Sequence, residues 1–359
     1  MPYPMRVRIC IASRHRLRSR GLLLPMIISK LPPGAVYVMP QTALVSGSSF
    51  IYSQSLDAAY STSPINTDIE YYPEEIGYRL KRIRSGERLE FEFMQQPVVI
   101  AHLRKDAVPL NLISAQNYFH FLIEWLPSLA FLVEKKAVDS NSIIVSGMLH
   151  NNMATALKFV LSKIKSPLLQ LRLFQAVTCD RVVMAPASSH VAELISGGLS
   201  DSWYNQENIR LLRRIFEPLQ AASSEALGRK LYIRRVSPVR TVTNSAEVEQ
   251  LAIDAGYQVV QPERYGFVEQ VRLFSSASHI IGPTGAWAAN LLFVPESAKV
   301  SIFYPESAKR KKSIWGMLGE CLGVKVDDVY GPISSLHPRQ DVHSDYIVPV
   351  DICRELLRQ

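Results

Sequence analysis

The chain has 359 residues, 47% of them hydrophobic and 20% charged, which is room for two ordinary domains and excludes a disordered polymer. Its net charge of +8 suits an anionic partner, whether nucleic acid, an acidic membrane surface or an anionic substrate, and equally a plainly solvated basic surface. The four cysteines, Cys10, Cys179, Cys321 and Cys353, have no C-x-x-C spacing, which argues against a zinc ribbon, a redox pair or a disulfide framework.

Residues 1–30 read as a basic arm. Arg6, Arg8, Arg14, Arg16, Arg18 and Arg20 precede a short apolar run, Leu22 to Ile28, which Pro25 interrupts. Lys30 stands where a secretory leader would carry a small residue, so the segment reads as an arm and not a leader. No apolar run reaches 18 residues, so no spanning helix is expected. The arm and the run Lys309 to Lys312 are expected to give a cytoplasmic protein peripheral contact with an anionic membrane face.

Residues 31–110 suggest short strands and loops, with strands at Ala35 to Met39 and Pro97 to Ala101. From Asn117 to Lys136, Phe121, Leu122, Trp125, Leu129 and Leu132 recur near period 3.6 and predict a helix, which Pro127 should kink or restart. A strand at Ser142 to Ser146, a helix from Asn151 to Lys165 and a strand at Arg181 to Met184 follow. Residues 201–224 read as a polar helix ending in a linker, Ala221 to Ser224, which sets a domain border at 224.

Beyond it, strands at Lys230 to Arg234, Tyr257 to Val260, His279 to Gly282 and Lys299 to Phe303 alternate with helices. These span Ser245 to Ala255, Phe267 to Ala277, Ala286 to Phe293 and Ser313 to Leu322. That alternation marks a parallel sheet covered on both faces. Asn244 and Glu247 have capping-box spacing, and Gly256 is placed to end the helix. Residues 346–359 read as a closing helix that packs back on the first domain.

Two residue groups carry chemistry. The first is Leu231-Tyr-Ile-Arg-Arg235 followed by Gly282-Pro-Thr-Gly-Ala286 and Asn290. A strand opening through glycines into a helix points backbone N–H groups at an anion, and arginines add charge-assisted bonds. A diphosphate held this way suggests a nucleotide or nucleotide-sugar ligand. Glycine in such a turn also serves a purely structural need for positive φ. Arg234 and Arg235 alternate on a strand, so only one is expected to face the ligand. Arg235, Arg240, Gly285 and Ala286 fall at carboxyl ends of strands, where ligands of open α/β sheets gather.

The second group is His120 and Glu124, four apart on one face of an apolar helix. Either is suited to take a proton near neutral pH, and the same spacing also suits a hydrogen-bonded pair in a core. Several absences narrow the class. There is no GxxxxGK[ST], no GxGxxG, no Asp-x-Asp, no HExxH and no GxSxG. No metal site or cofactor is therefore expected, and no basic stripe with interleaved aromatics supports a nucleic-acid partner.

In their order these motifs resemble family 61 glycosyltransferases, a group with bacterial capsule and exopolysaccharide enzymes, plant xylosyltransferases and animal protein O-linked N-acetylglucosaminyltransferases. The segments that match are Asn117-Tyr-Phe-His120-Phe-Leu-Ile-Glu124-Trp-Leu-Pro-Ser128, then Leu231-Tyr-Ile-Arg-Arg235 with Arg240 and Asn244, then Gly282-Pro-Thr284-Gly-Ala286-Trp-Ala-Ala-Asn290-Leu-Leu-Phe293. The resemblance implies an α/β, GT-B-like fold with two Rossmann-like domains facing across a cleft. Residues 31–224 would hold the acceptor and 225–345 the nucleotide sugar. It implies inverting, metal-independent transfer from a nucleotide sugar, usually UDP-linked, to a glycan or lipid-linked glycan in surface polysaccharide synthesis. His120 or Glu124 would be the base, Asn117 an acceptor-side residue, and Arg235, Arg240, Asn244, Thr284, Gly285, Ala286 and Asn290 the donor site. The chain departs from the pattern at Ser128, where the family has Arg, Ser245 (Glu), Thr284 (His) and Ile302 (often Glu). The departures motivate an alternative: a catalytically impaired member that binds glycan or acts as a scaffold in a polysaccharide complex.

Overall fold

The computed structural model describes residues 35–48, 50–53, 58–61, 80–85, 88–93, 97–110, 112–113, 117–191, 203–221, 228–309, 313–337 and 343–358. The basic arm, residues 310–312 of the second basic run and the end of the expected linker lie outside them. Among the described residues no helix is long and apolar enough to cross a membrane. Cys179, Cys321 and Cys353 are free, and Cys179 and Cys353 are buried.

The chain divides into two units, Met1–Ser202 and Trp203–Gln359. The first is built on strands β1 (Tyr37–Val45), β2 (Phe50–Ser53), β3 (Ala58–Ser61), β6 (Val98–Leu103), β7 (Ala107–Leu110), β8 (Ile143–Gly147), β9 (Leu168–Leu171) and β10 (Gln175–Met184). They pair in the order β3-β2-β1-β10-β7-β8-β9, with β6 also on β10. β4 (Leu80–Ser85) and β5 (Arg88–Phe93) form a separate hairpin. The expected Rossmann-like sheet is only half realised. β7, β8, β9 and β10 run parallel, whereas β1 is antiparallel to both β10 and β2. The short connections between β1, β2 and β3 leave no room for a crossover helix, so those strands can only pair antiparallel. Leu44, Ile51, Val145, Leu171, Val177 and Val182 meet in one buried cluster of this unit. Helices α1 (Leu126–Glu134) and α2 (Asn151–Leu161) follow β7 and β8 in turn, and a short strand, β11 (Ser189–His190), comes late in the unit.

The second unit opens with β12 (Trp203–Tyr204) and α3 (Gln206–Ala221). Its sheet contains β13 (Arg229–Ile233), β14 (Gln258–Val260), β15 (Ala277–Pro283), β16 (Lys299–Pro305) and β17 (Lys325–Gly331) in the order β14-β13-β15-β16-β17. All these pairings are parallel, as the strand-helix alternation predicts. Helices α4 (Ser245–Asp254), α5 (Phe267–Ser275), α6 (Ile314–Leu322) and α7 (Val350–Leu357) and the short hairpin β18 (Ile333–Ser335) and β19 (Asp345–Tyr346) complete it.

Two boundary expectations are corrected. The segment read as a polar helix and linker belongs to the second unit. Ile209, Leu212 and Phe216 of α3 are fully buried, and Phe216 meets Phe267 and Phe293 edge-on at 5.1 and 5.7 Å. Arg213 also donates to the carbonyls of Val294 and Leu322, so α3 is tied to the second unit by charge as well as by apolar area. The closing helix likewise belongs to the second unit: Cys353 and Leu357 are buried with Val248, Ala252 and Tyr257.

The helix expected over Ala286 to Phe293 forms there as a 3-10 helix. Its three-residue period stacks Trp287, Asn290 and Phe293 in one line, and all three are buried.

Candidate functional site

In the second unit the chain leaves β13 in one direction to form β14 and later returns to form β15 on the other side. The crevice at the carboxyl ends of β13 and β15 is therefore the topological switch point, the usual ligand position in a doubly wound sheet. A cavity of about 310 Å³ lies there, with Arg234, Arg235, Ser237, Arg240, Ser245 and Pro283 in its wall.

Arg234 and Arg235 both reach this cavity, contrary to the alternation argument, because β13 ends at Ile233 and strand geometry no longer governs them. Arg234 forks onto Glu249, with Nε to Oε2 at 2.7 Å and a second, shorter contact from Nη2 to Oε1. Arg235 donates to the carbonyls of Val239 at 2.6 Å and Arg240 at 3.0 Å and to the Ser237 hydroxyl at 2.8 Å. Burial, then the neighbouring Arg240, pushes the Arg235 guanidinium down to about 10, so it remains a cation at neutral pH. Its charge is thus poorly hydrated, and it favours an anion more than an exposed arginine would.

Arg240 sits in the wall with φ at +56°, a left-handed backbone that costs a non-glycine residue about 1 kcal/mol or more. Its N–H donates to His343 O at 3.0 Å.

The glycines of the turn act by close approach and not by positive φ. Gly285 is extended at φ 174°, and a Cβ there would lie 3.2 Å from Arg235 Nε and 3.2 Å from the Trp287 ring. A Cβ on Gly282 would lie 2.6 Å from Ile233 Cβ. Ala286 is exposed at the first position of the 3-10 helix.

Three other residues expected at the donor site make internal contacts. The Thr284 hydroxyl accepts from Trp315 Nε1 at 2.9 Å and is buried. Asn290 is fully buried and donates to Gln270 Oε1 at 2.9 Å. Asn244 forms no capping box with Glu247: its amide donates to Val348 O and its oxygen accepts from Val348 N–H, each at 2.9 Å. That reciprocal pair outcompetes the cap because it satisfies two backbone groups of a distant segment. Sequence reasoning missed Ser237 and Glu249, which no motif marks; their spacing from Arg234 and Arg235 carries no periodic signal.

The other group lies in the first unit. Helical winding starts at Tyr118, passes through a π-helical segment, His120–Trp125, and resumes as α1. Asn117 caps it, accepting from the N–H of Phe119 at 3.0 Å and of His120 at 3.4 Å. Pro127 sits in the first turn of α1, so the restart expected from the sequence is found. The missing proline N–H leaves the Ile123 carbonyl to the Ser189 hydroxyl at 3.1 Å, while the Glu124 carbonyl accepts from Ser188 N–H at 2.9 Å and Ser128 at 3.2 Å. Ser128, a departure from the family pattern, thus belongs to a buried hydroxyl network, with Ser188 Oγ 2.9 Å away.

His120 Nδ1 and Glu124 Oε2 are 2.7 Å apart, and Glu124 Oε1 accepts from Val191 N–H at 3.2 Å. Glu124 is 6% exposed. A carboxylate accepts, so Nδ1 carries the proton and Nε2 presents its lone pair. Arranged this way, the carboxylate orients the ring and leaves the Nε2 lone pair as the one that can accept a proton.

Among the described residues no group of three or more His, Cys, Asp or Glu side chains is placed to hold a metal ion. The family model described as Glycosyltransferase 61 matches residues 118–301, a stretch that contains both groups. No curated protein matches the chain.

Proposed function

The chain belongs to the glycosyltransferase 61 family and is a sugar-transferring enzyme of polysaccharide biosynthesis, and from that premise we propose an inverting transfer from a nucleotide sugar, with donor on the second unit and acceptor on the first. The observation that carries this is the cavity at the switch point with two arginines, Arg235 and Arg240, in its wall beyond the Arg234–Glu249 pair. Two cations match the two negative charges of a nucleotide sugar's diphosphate, and the cavity is about the size such a group needs.

In this reading an acceptor hydroxyl oxygen attacks the anomeric carbon as its proton passes to His120 Nε2. The bond from that carbon to the diphosphate oxygen breaks with its electron pair. Arg235 and Arg240 then stabilise the leaving charge in a place where bulk water is displaced. Glu124 holds the protonated ring. A GT-B arrangement and a UDP-linked donor are part of the proposal. The membrane arm is part of it too, a lipid-linked acceptor being the reason for it.

Of the four departures from the family pattern, only Ser245 lies in the cavity wall. Thr284, Ser128 and Ile302 are buried in core contacts, so the arginine pair is intact, which favours an active enzyme over a scaffold.

Thermal stabilisation by UDP-, GDP-, CMP- and dTDP-sugars, with and without EDTA, tests this directly. One nucleotide class should raise Tm regardless of EDTA, and Arg235→Ala should weaken that binding about 10- to 100-fold, as loss of charge-assisted bonds implies. No shift in the parent protein at millimolar nucleotide sugar would give the reading over to a non-catalytic glycan-binding subunit. An unchanged affinity in Arg235→Ala would remove the diphosphate site.

A further inference from the structure

His150 lies at the carboxyl end of β8, next to the strand whose carboxyl end leads to Asn117. No sequence motif singles it out. It occupies the N-cap position of α2, where its Nδ1 accepts from Asn152 N–H at 3.1 Å. Histidine is a poor choice for that position; Ser, Thr, Asp and Asn cap better and cost less side-chain area. The ring does something else as well. It stacks on Tyr118 with centroids 6.3 Å apart and planes 11° from parallel. Tyr118 opens the helix that carries His120 and Glu124, so this stacked pair borders the proposed base.

The cap fixes the tautomer. With Nδ1 accepting, Nε2 carries the proton, and it makes no hydrogen bond to any described residue while the side chain stands exposed. Partial desolvation pushes the imidazole below its ordinary value, which keeps it neutral and in this tautomer at neutral pH.

We propose that His150, backed by Tyr118, forms an acceptor subsite: Nε2–H donates to a sugar hydroxyl at the edge of the exposed ring, and Tyr118 stacked behind it holds the imidazole in place. An exposed imidazole with one fixed donor, held by a ring stacked behind it, is suited to bind a neutral sugar hydroxyl. This site rests on the reading of the first unit as the acceptor side.

The test uses His150→Asn in the full chain, because asparagine keeps the helix cap and removes the imidazole. The probes are methyl glycosides of glucose, galactose, mannose and N-acetylglucosamine, titrated while the histidine side-chain resonances are followed by NMR. At least one glycoside should move the His150 Nε2 resonance. Its affinity should fall fivefold or more in His150→Asn, with Tm and the nucleotide-sugar shift unchanged. Tyr118→Leu should lower the same affinity. Equal affinity in parent and His150→Asn would make the histidine a helix cap only and overturn the proposal, as would failure of every glycoside to perturb it. Neither result bears on donor binding, so a nucleotide shift that persists leaves the transferase reading standing.

Discussion

At the scale of single residues, the proposed chemistry depends on which hydrogen-bond partner each side chain has. Glu124 accepts from a backbone N–H on one oxygen and from His120 on the other. Glutamine at this position can keep the Val191 contact, but its NH2 would then face Nδ1. The tautomer would invert, placing the proton on Nε2 and removing the base. Glu124→Gln should therefore keep its Tm and donor affinity and lose about 100-fold or more in kcat, measured by nucleoside diphosphate release. The His120–Glu124 spacing was legible in the sequence. The π-helical winding was not, because its carbonyls take donors from Ser188 and Ser189, far along the chain. The turn glycines teach a similar lesson. Their presence was readable, but their reason was not, since Gly285 is small to admit the Arg235 side chain. Gly285→Ala should displace Arg235 and weaken nucleotide-sugar binding severalfold with little change in Tm. Gly282→Ala meets β13 itself and should cost about 1–3 kcal/mol in a denaturant titration.

At the scale of elements, the loop that carries Arg240 does not stand alone. Residues 343–348 run beside it and bond to it repeatedly. Arg240 N–H donates to His343 O, Thr241 N–H to Asp345 Oδ1 and Thr243 N–H to Tyr346 O, while Tyr346 N–H donates to Thr241 O. Asn244 adds its two bonds to Val348, and the fully buried Tyr346 anchors the segment through Phe303 O at 2.9 Å. The strained φ of Arg240 is stabilised by this lacing. A sequence reading that places a border at 345 cuts through it, because a two-residue strand such as β19 has no period to detect and the loop it laces lies a hundred residues earlier. Asn244→Ala removes both bonds to Val348 and should destabilise the second unit by about 1–3 kcal/mol. It should also reduce donor affinity, since Arg240 then loses its fixed position. Both effects are readable in one thermal-shift series with and without nucleotide sugar. The alternation of β13, β14, β15 and β16 with their helices was legible for the opposite reason: each strand holds a short apolar run between glycine or polar breaks, a signal that is local in sequence.

For the molecule as a whole, stability and ligand binding should respond differently to acid. His279 lies near the amino end of β15, away from the carboxyl-end cavity, with Nδ1 2.6 Å from the Tyr257 hydroxyl. It is 4% exposed, and burial, with help from Lys230 and Lys299, pushes the imidazole down to about 4. The unfolded chain takes up this proton near the ordinary histidine value, about 6.5, while the folded protein resists until about 4. Between those limits the unfolded state binds more protons, so the contribution is complete above pH 6.5 and is lost as pH falls toward 4. Its ceiling is on the order of 3 kcal/mol. A chain of net charge +8 also repels itself more as its carboxylates protonate, so acid lability alone would not identify His279. The comparison with His279→Asn does, because asparagine can accept from Tyr257 and does not titrate. Its Tm should fall less than that of the parent protein between pH 7 and pH 4.5. The nucleotide-sugar shift at any one pH should stay the same in both, as Arg235 remains charged across this range. Parallel pH profiles for parent and variant would show that self-repulsion, and not this buried ring, sets the acid limit of the fold.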